Sequence, residues 1–158
     1  TMATTWTDRL AELGIEFPSV VPPVASYTPA VRTGNLVYTS GQLPIVDGEL
    51  SARGKVHEGA EGVVRPDEAT AAARVCALNA LAAIHALVGI DSVVRVVKVV
   101  GFVSSAPGFT GQPAVINGAS DVLGEIFGDA GVHARSAVGV AELPLGAPVE
   151  VELIVEVA

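Results

Sequence analysis

The sequence predicts an α+β domain: a mostly antiparallel sheet with two helices packed on one face, plus an additional helix at the N-terminus. Three observations carry this. Pro66–Val88 and Pro113–Phe127 place apolar residues at helical spacing. Ser92–Ser104 and Ala134–Ala158 are rich in valine and have the character of strands. The resulting order, β-β-(β)-α-β-α-β-β, is that of a sheet covered by two helices. A length of 158 residues suits one domain with a substantial core. The division within it is a helix and connector over 1–25 and a core over 26–158.

Taken in order, Thr5–Gly14 reads as a short amphipathic helix with Trp6, Leu10 and Leu13 on one face, Thr4 or Thr5 to cap it and Gly14 to end it. Phe17–Pro23 is an extended, proline-controlled connector. The plain role of this segment is packing outside the domain; a lid over a pocket is the alternative. Ser26–Arg32 and Asn35–Ser40 form a hairpin around Thr33-Gly34-Asn35, with Tyr27 in its first strand. Asp47–Arg65, rich in Gly, Glu and Asp, is a loop with Gly54-Lys55-Val56 as a candidate short strand. In the main helix Pro66 suits the first turn and Asp67 and Glu68 favour its N-terminus. Its small-residue stripe is Ala69, Ala73, Cys76, Ala77, Ala80, Ile84 and Leu87. The unbroken run of Val93–Val103 implies burial on both faces, by helices on one side and another subunit on the other. Phe109 is the one large apolar residue of the Ser105–Gly111 loop, placed to wall a pocket. Ala134–Ala158 reads as a β-hairpin closed by Pro144-Leu145-Gly146-Ala147-Pro148. Val149, Val151, Leu153 and Val155 lie on one face of its second strand, and Glu150, Glu152 and Glu156 on the other.

Composition narrows the function. Half of the residues are hydrophobic, 16% are charged and 4% aromatic, so the core is built of Val, Ala, Leu and Ile. A net charge of −8 without a basic run disfavours a nucleic-acid partner. The single cysteine, Cys76, excludes an intramolecular disulfide and reads as a small core residue. His57, His85 and His133 show no metal-ligand spacing, so no metal site is predicted. No signal peptide is apparent, and Arg95 and Lys98 interrupt the longest strand, so a cytoplasmic protein without a membrane partner is expected.

Two charges hold the chemistry. Arg135, in Ala134-Arg135-Ser136 ahead of an apolar strand, needs an anionic partner, and its planar fork matches a carboxylate with two parallel hydrogen bonds. Hairpin pairing would bring Glu150 to the same end of the sheet. On residue types alone an internal Arg135–Glu150 ion pair, or two solvated strand ends, stands beside a ligand clamp. Ser40-Gly41-Gln42 closes a strand, where glycine permits close approach and the hydroxyl with nearby N–H groups can hold a carboxylate or water. No G-x-S-x-G elbow surrounds Ser40, so it is not read as a nucleophile.

Arg135-Ser136-x-Val138-x-Val140-Ala141-x-Leu143-Pro144 followed by Val149-Glu150-Val151-Glu152 resembles the C-terminal signature of the RidA/YjgF family, enamine/imine deaminases long called L-PSP endoribonucleases or translation inhibitors. Thr39-Ser40-Gly41-Gln42-Leu43-Pro44 resembles the family's other signature. Both stand in the family's order, and the likeness spans roughly Ser26–Val157. It implies a chorismate-mutase-like fold, a homotrimer with clefts between subunits, a small carboxylate ligand, and hydrolysis of 2-imino acids or their enamine tautomers to 2-oxo acids and ammonia without cofactor. In the implied roles Arg135 clamps the substrate carboxylate, Glu150 acts as general acid/base, and Glu150 with the backbone of Ala137 positions a water. Ser40, Gly41 and Tyr27 shape the pocket, and Asn117 organises the site region. The family often has cysteine where Ala137 stands and Gly-Pro before the tyrosine where Ala25-Ser26 stands; Gly139, often a charged residue in relatives, and the long Asp47–Arg65 loop point to a divergent branch. A non-catalytic carboxylate-binding regulator is the alternative from another class, and a ribonuclease the weaker third.

Overall fold

The computed structural model describes residues 4–23, 25–59 and 63–158. Residues 1–3, 24 and 60–62, parts of the predicted N-terminal segment and of the 47–65 loop, lie outside the described residues. The chain runs α1 (Trp6–Leu13), β1 (Ala30–Thr33), β2 (Leu36–Thr39), β3 (Ile45–Val46), β4 (Glu49–Leu50), α2 (Pro66–Val88), β5 (Val93–Ser104), α3 (Gln112–Phe127), β6 (Ala134–Val140) and β7 (Val149–Val157). The main sheet has the order β1-β2-β7-β5-β6, antiparallel except for the β5–β6 pair. Helices α2 and α3 pack together on one face, giving the predicted mostly antiparallel α+β layer with an extra N-terminal helix.

Each helix obeys its local chemistry. Thr5 caps α1 in a reciprocal box: its Oγ1 accepts from the Asp8 amide at 3.0 Å and the Asp8 carboxylate accepts from the Thr5 amide at 3.3 Å. Gly14 ends the helix in the left-handed region, at φ 67°. Helix α1 docks on the end of α3 and the start of β5: Trp6 donates to the Val93 carbonyl at 2.8 Å and meets the Phe127 ring edge-on at 5.0 Å. Helix α2 buries Ala69, Ala73, Cys76, Ala77, Ala80 and Ile84 as predicted; of the predicted stripe only Leu87 is exposed. Its 23 residues are by length and composition apolar enough to cross a membrane, but it is the core helix and packs on β7 and α3.

Three expectations are corrected. The segment 134–158 is not a hairpin. β6 and β7 are not neighbours, because β5 lies between them, paired to β7 antiparallel and to β6 in parallel. The link between β5 and β6 is α3, the helical crossover that a parallel pair requires. Tyr27 precedes β1 and is not part of it. The 47–65 region also contains order: Asp47 and Gly48, at φ 51° and 85°, turn β3 into β4. Val56 makes isolated bridges to Val64 and Ser105.

The register separates two faces. Toward the helices point Val96 and Val155; then Leu153, Val99 and Arg135 in one row; then Val151, Gly101 and Ala137; then Val149, Val103 and Gly139. On the opposite face lie Tyr38, Ile154 and Lys98; then Glu152, Val100 and Ser136; then Glu150, Phe102 and Val138. No element of this chain covers that second face among the described residues: Val97, Val138 and Tyr38 are all more than a third exposed. The expected burial of β5 on both faces therefore holds within one chain for the helix side only.

Candidate active site

The predicted site residues fall into two groups on opposite sides of the sheet. The first is built on Arg135. It sits on edge strand β6 in the row of Val99 and Leu153, so its side chain runs under the helix layer to α3. Pro113, Asn117 and Ser120 are spaced four and three residues apart and form one strip of that helix. Arg135 Nη1 donates to Asn117 Oδ1 at 2.8 Å and to Ser120 Oγ at 3.2 Å, and Nη2 donates to the Pro113 carbonyl at 3.3 Å. All three acceptors are neutral, and among the described residues no carboxylate pairs with Arg135. Three of five guanidinium hydrogens are engaged, which leaves two, the number a bidentate carboxylate grip needs. Neither the Arg135–Glu150 ion pair nor a fully solvated strand end describes this residue.

Ala137, two residues on, is half-buried opposite Gly101 and packs on the core. Phe109 is buried against the core, its ring tilted against His57 at 6.4 Å. Gln112 donates to the Phe109 carbonyl at 2.8 Å and to Ser105 Oγ at 3.1 Å, which pins the loop leading into α3.

The second group surrounds Glu150. Its row partner Phe102 places it on the open face, half-buried. Burial, and then the neighbouring charge of Glu152, hold its carboxyl above the ordinary range. Gly41 lies directly against it: a Cβ at residue 41 would overlap Oε1 and stand 2.7 Å from Cδ. Gln42 holds the segment there by exchanging backbone hydrogen bonds with Val151, 2.8 and 3.0 Å. Asn79 of α2 adds two more, donating to the carbonyls of Leu43 and Ile45 at 3.0 and 3.1 Å. The Ser40 hydroxyl spends its hydrogen on the Thr28 carbonyl at 2.6 Å, so it is left as an acceptor. Tyr27 is about half exposed and lines a small pocket with Gly41, Gln42, Val21 and Leu145. That pocket shares Val21, Pro22, Ile45 and Leu145 with an apolar groove of about 890 Å³ between the connector, the β3–β4 turn and α2.

Sequence reasoning missed Ser120, His133 and Asn79. Ser120 and His133 had a signal, one falling three residues after Asn117 on the same helix face and the other two residues before Arg135; Asn79 had the weaker one of a polar residue in an apolar stripe. Among the described residues no cluster of His, Cys, Asp and Glu is arranged to hold a metal ion.

Comparison with known proteins bears on the family and the fold. The family model Endoribonuclease L-PSP matches residues 18–157. Protein TCP17 of Trypanosoma cruzi is 44% identical over 156 residues, 94% of this chain and 91% of that one. The 2-iminobutanoate/2-iminopropanoate deaminase of Dermatophagoides farinae is 36% identical over 141 residues, 89% of this chain and 93% of that one. The crystal structure of Atu1372 from Agrobacterium tumefaciens, a protein of unknown function, superposes with a TM-score of 0.85 at 41% identity, covering 97% of this chain and 92% of that one. A family match across nearly the whole length, relatives 36–44% identical, and a shared fold place this chain in the L-PSP endoribonuclease family, the RidA/YjgF family.

Proposed function

We propose that this protein hydrolyses 2-imino acids and their enamine tautomers to 2-oxo acids and ammonia, in clefts completed by a second copy of the chain within a homotrimer. The observation that carries the reading is the division of the site. Arg135 is a cation with neutral partners at a sheet edge, and Glu150 is a carboxyl with a raised pKa on the opposite face. Within one chain the two cannot serve one small substrate. Arg135 of one copy facing Glu150 of another makes them a pair.

In that cleft the two uncommitted guanidinium hydrogens grip the substrate carboxylate. A water held by Glu150 and the Ala137 backbone attacks the imine carbon, and its proton passes to Glu150. Glu150 passes that proton to the imine nitrogen, giving a carbinolamine; it then takes the hydroxyl proton and delivers it to the amino nitrogen as the C–N bond breaks, so ammonia leaves and the C=O bond forms. A carboxyl whose pKa is raised by burial suits both transfers, because it lies closer to the working pH than an ordinary glutamate does. The chemistry needs no cofactor. The likeness to a 2-iminobutanoate/2-iminopropanoate deaminase supports this reading. The net charge of −8 speaks against the ribonuclease that the family's name describes.

The test is turnover of imines generated from amino acids. Glu150→Gln keeps size and hydrogen bonding but cannot exchange a proton, so turnover is expected to fall roughly a hundredfold or more while 2-oxobutanoate still binds. Arg135→Ala is expected to lose about tenfold to a hundredfold in that binding. A parent that binds carboxylates firmly but turns over no imine would make the protein a regulator instead. A Glu150→Gln variant at full rate would remove Glu150 from the mechanism.

A further inference from the structure

Arg135 is connected to a histidine that no part of the proposed reaction uses. His133 Nδ1 lies 2.6 Å from the Gly131 carbonyl, and His133 Nε2 lies 2.9 Å from Ser120 Oγ. A carbonyl only accepts, so Nδ1 carries a ring proton, and in the Nδ1–H tautomer that this contact selects Nε2 is the acceptor. The Ser120 hydroxyl hydrogen must then point at His133. Its oxygen is left with lone pairs only, and it is this oxygen that accepts from Arg135 Nη1. The histidine tautomer therefore fixes which way the serine faces, and the serine fixes one edge of the guanidinium. All three side chains are partly buried, so water does not freely replace these bonds.

From this we infer that Ser120 and His133 are positioning residues. Through a one-directional chain of hydrogen bonds they hold Arg135 so that its uncommitted N–H edge faces the substrate carboxylate. The inference rests on the carboxylate clamp proposed above and adds residues that act on ligand only through Arg135. The chain is anchored at both ends: by the Gly131 backbone, in the turn between α3 and β6, and by Asn117 and Pro113 on α3, which take the remaining contacts. Serine has one hydrogen to give, so with Nε2 as acceptor it points at His133 and not at Arg135.

The experiment measures 2-oxobutanoate binding by calorimetry in the parent, Ser120→Ala, Ser120→Thr and His133→Asn. His133→Asn keeps a donor for Gly131 but lacks the Nε2 acceptor. Ser120→Ala and His133→Asn are expected to weaken binding about threefold to tenfold, the value of one neutral hydrogen bond, at unchanged melting temperature. Ser120→Thr, which keeps the hydroxyl, is expected to bind as the parent does. In an Arg135→Lys background, Ser120→Ala is expected to add no further loss, because the fork it orients has gone. A Ser120→Ala variant with full affinity, or one losing as much in the Arg135→Lys background as alone, overturns the positioning role while the clamp stands. Should Arg135→Ala bind as the parent does, it is the clamp that fails. The ¹⁵N signals of the Arg135 Nη groups then decide the rest without ligand. Resolved signals in the parent that merge in Ser120→Ala support the hold, and identical spectra refute it.

Discussion

Gly41 and Glu150 share so little space that one methyl group decides where the carboxylate can be. The nearest atoms to a Cβ at residue 41 all belong to the Glu150 side chain, which is flexible and can swing aside at small energetic cost. Gly41→Ala is therefore expected to fold and melt much as the parent does, yet to lose roughly tenfold to a hundredfold in imine turnover through displacement of the proposed general acid/base. Turnover at the parent's rate would show that the position of this carboxyl does not matter. The same carboxyl costs stability. Its pKa is raised by burial and then by Glu152, so the folded chain binds that proton more tightly than the unfolded chain does. Stability contributed by this group is thus full below the ordinary glutamate pKa and is lost as pH rises through the raised value. Glu150→Gln is expected to melt above the parent at pH 7–8, with the gap closing in acid; a gap independent of pH would contradict the raised pKa. At this scale the sequence singles out charges and says little of what they touch. Arg135 and Glu150 stand out by charge in apolar strands. Ser120 and His133 do not, because a serine on a helix and a histidine in a loop are ordinary until a fold brings them to one guanidinium.

The helices were legible because their signals are local. Pro66 opens α2 at the predicted residue, Gly89 closes it, and Thr5 with Asp8 completes the cap that Thr5 suggested. Strand neighbours were not legible, because alternation shows which face a residue takes and says nothing of which strand lies beside it. The valines and glutamates of 149–157 alternate as expected, but the partners of β7 are β2 and β5 and not the strand that precedes it in sequence. A signal for the true arrangement was present in β5-α3-β6, a strand, a 16-residue helix and a strand, which is the connection parallel neighbours need. The turn at Asp47-Gly48 was likewise written in the sequence as Ile-Val-Asp-Gly-Glu-Leu, the strongest short hairpin signal, and was lost in reading 47–65 as one loop. The consequence reached the site: a C-terminal hairpin would have put Arg135 beside Glu150, whereas the inserted β5 sends one to each face.

For the whole molecule, that separation and the uncovered sheet face are one problem with one solution. Across four strands the open face carries Tyr38, Ile154, Val97, Val100, Phe102 and Val138 among its glutamates, and Tyr38, Val97 and Val138 stay substantially exposed. Apolar area of this extent is unfavourable in water by about 25 cal/mol for each Å² left uncovered. It is also where Glu150 waits for a cation that its own chain keeps on the other side. In the proposed assembly, a second copy laid against this face would bury the valines and bring an Arg135 to the rim in the same step, which makes assembly and completion of the site one testable event. The family resemblance implies three copies, giving a particle of about 48 kDa from 16.0-kDa chains. Light scattering at micromolar concentration is expected to return that mass. Val97→Glu, which sets a charge in the middle of the apolar face without touching the helix-side core, is expected to shift the mass toward one chain and to abolish imine turnover together with it. A 16-kDa mass for the parent at micromolar concentration would refute the assembly. A Val97→Glu monomer that retained full turnover would show that one chain holds a complete site, and the division between Arg135 and Glu150 would then have to be bridged by motion within the chain.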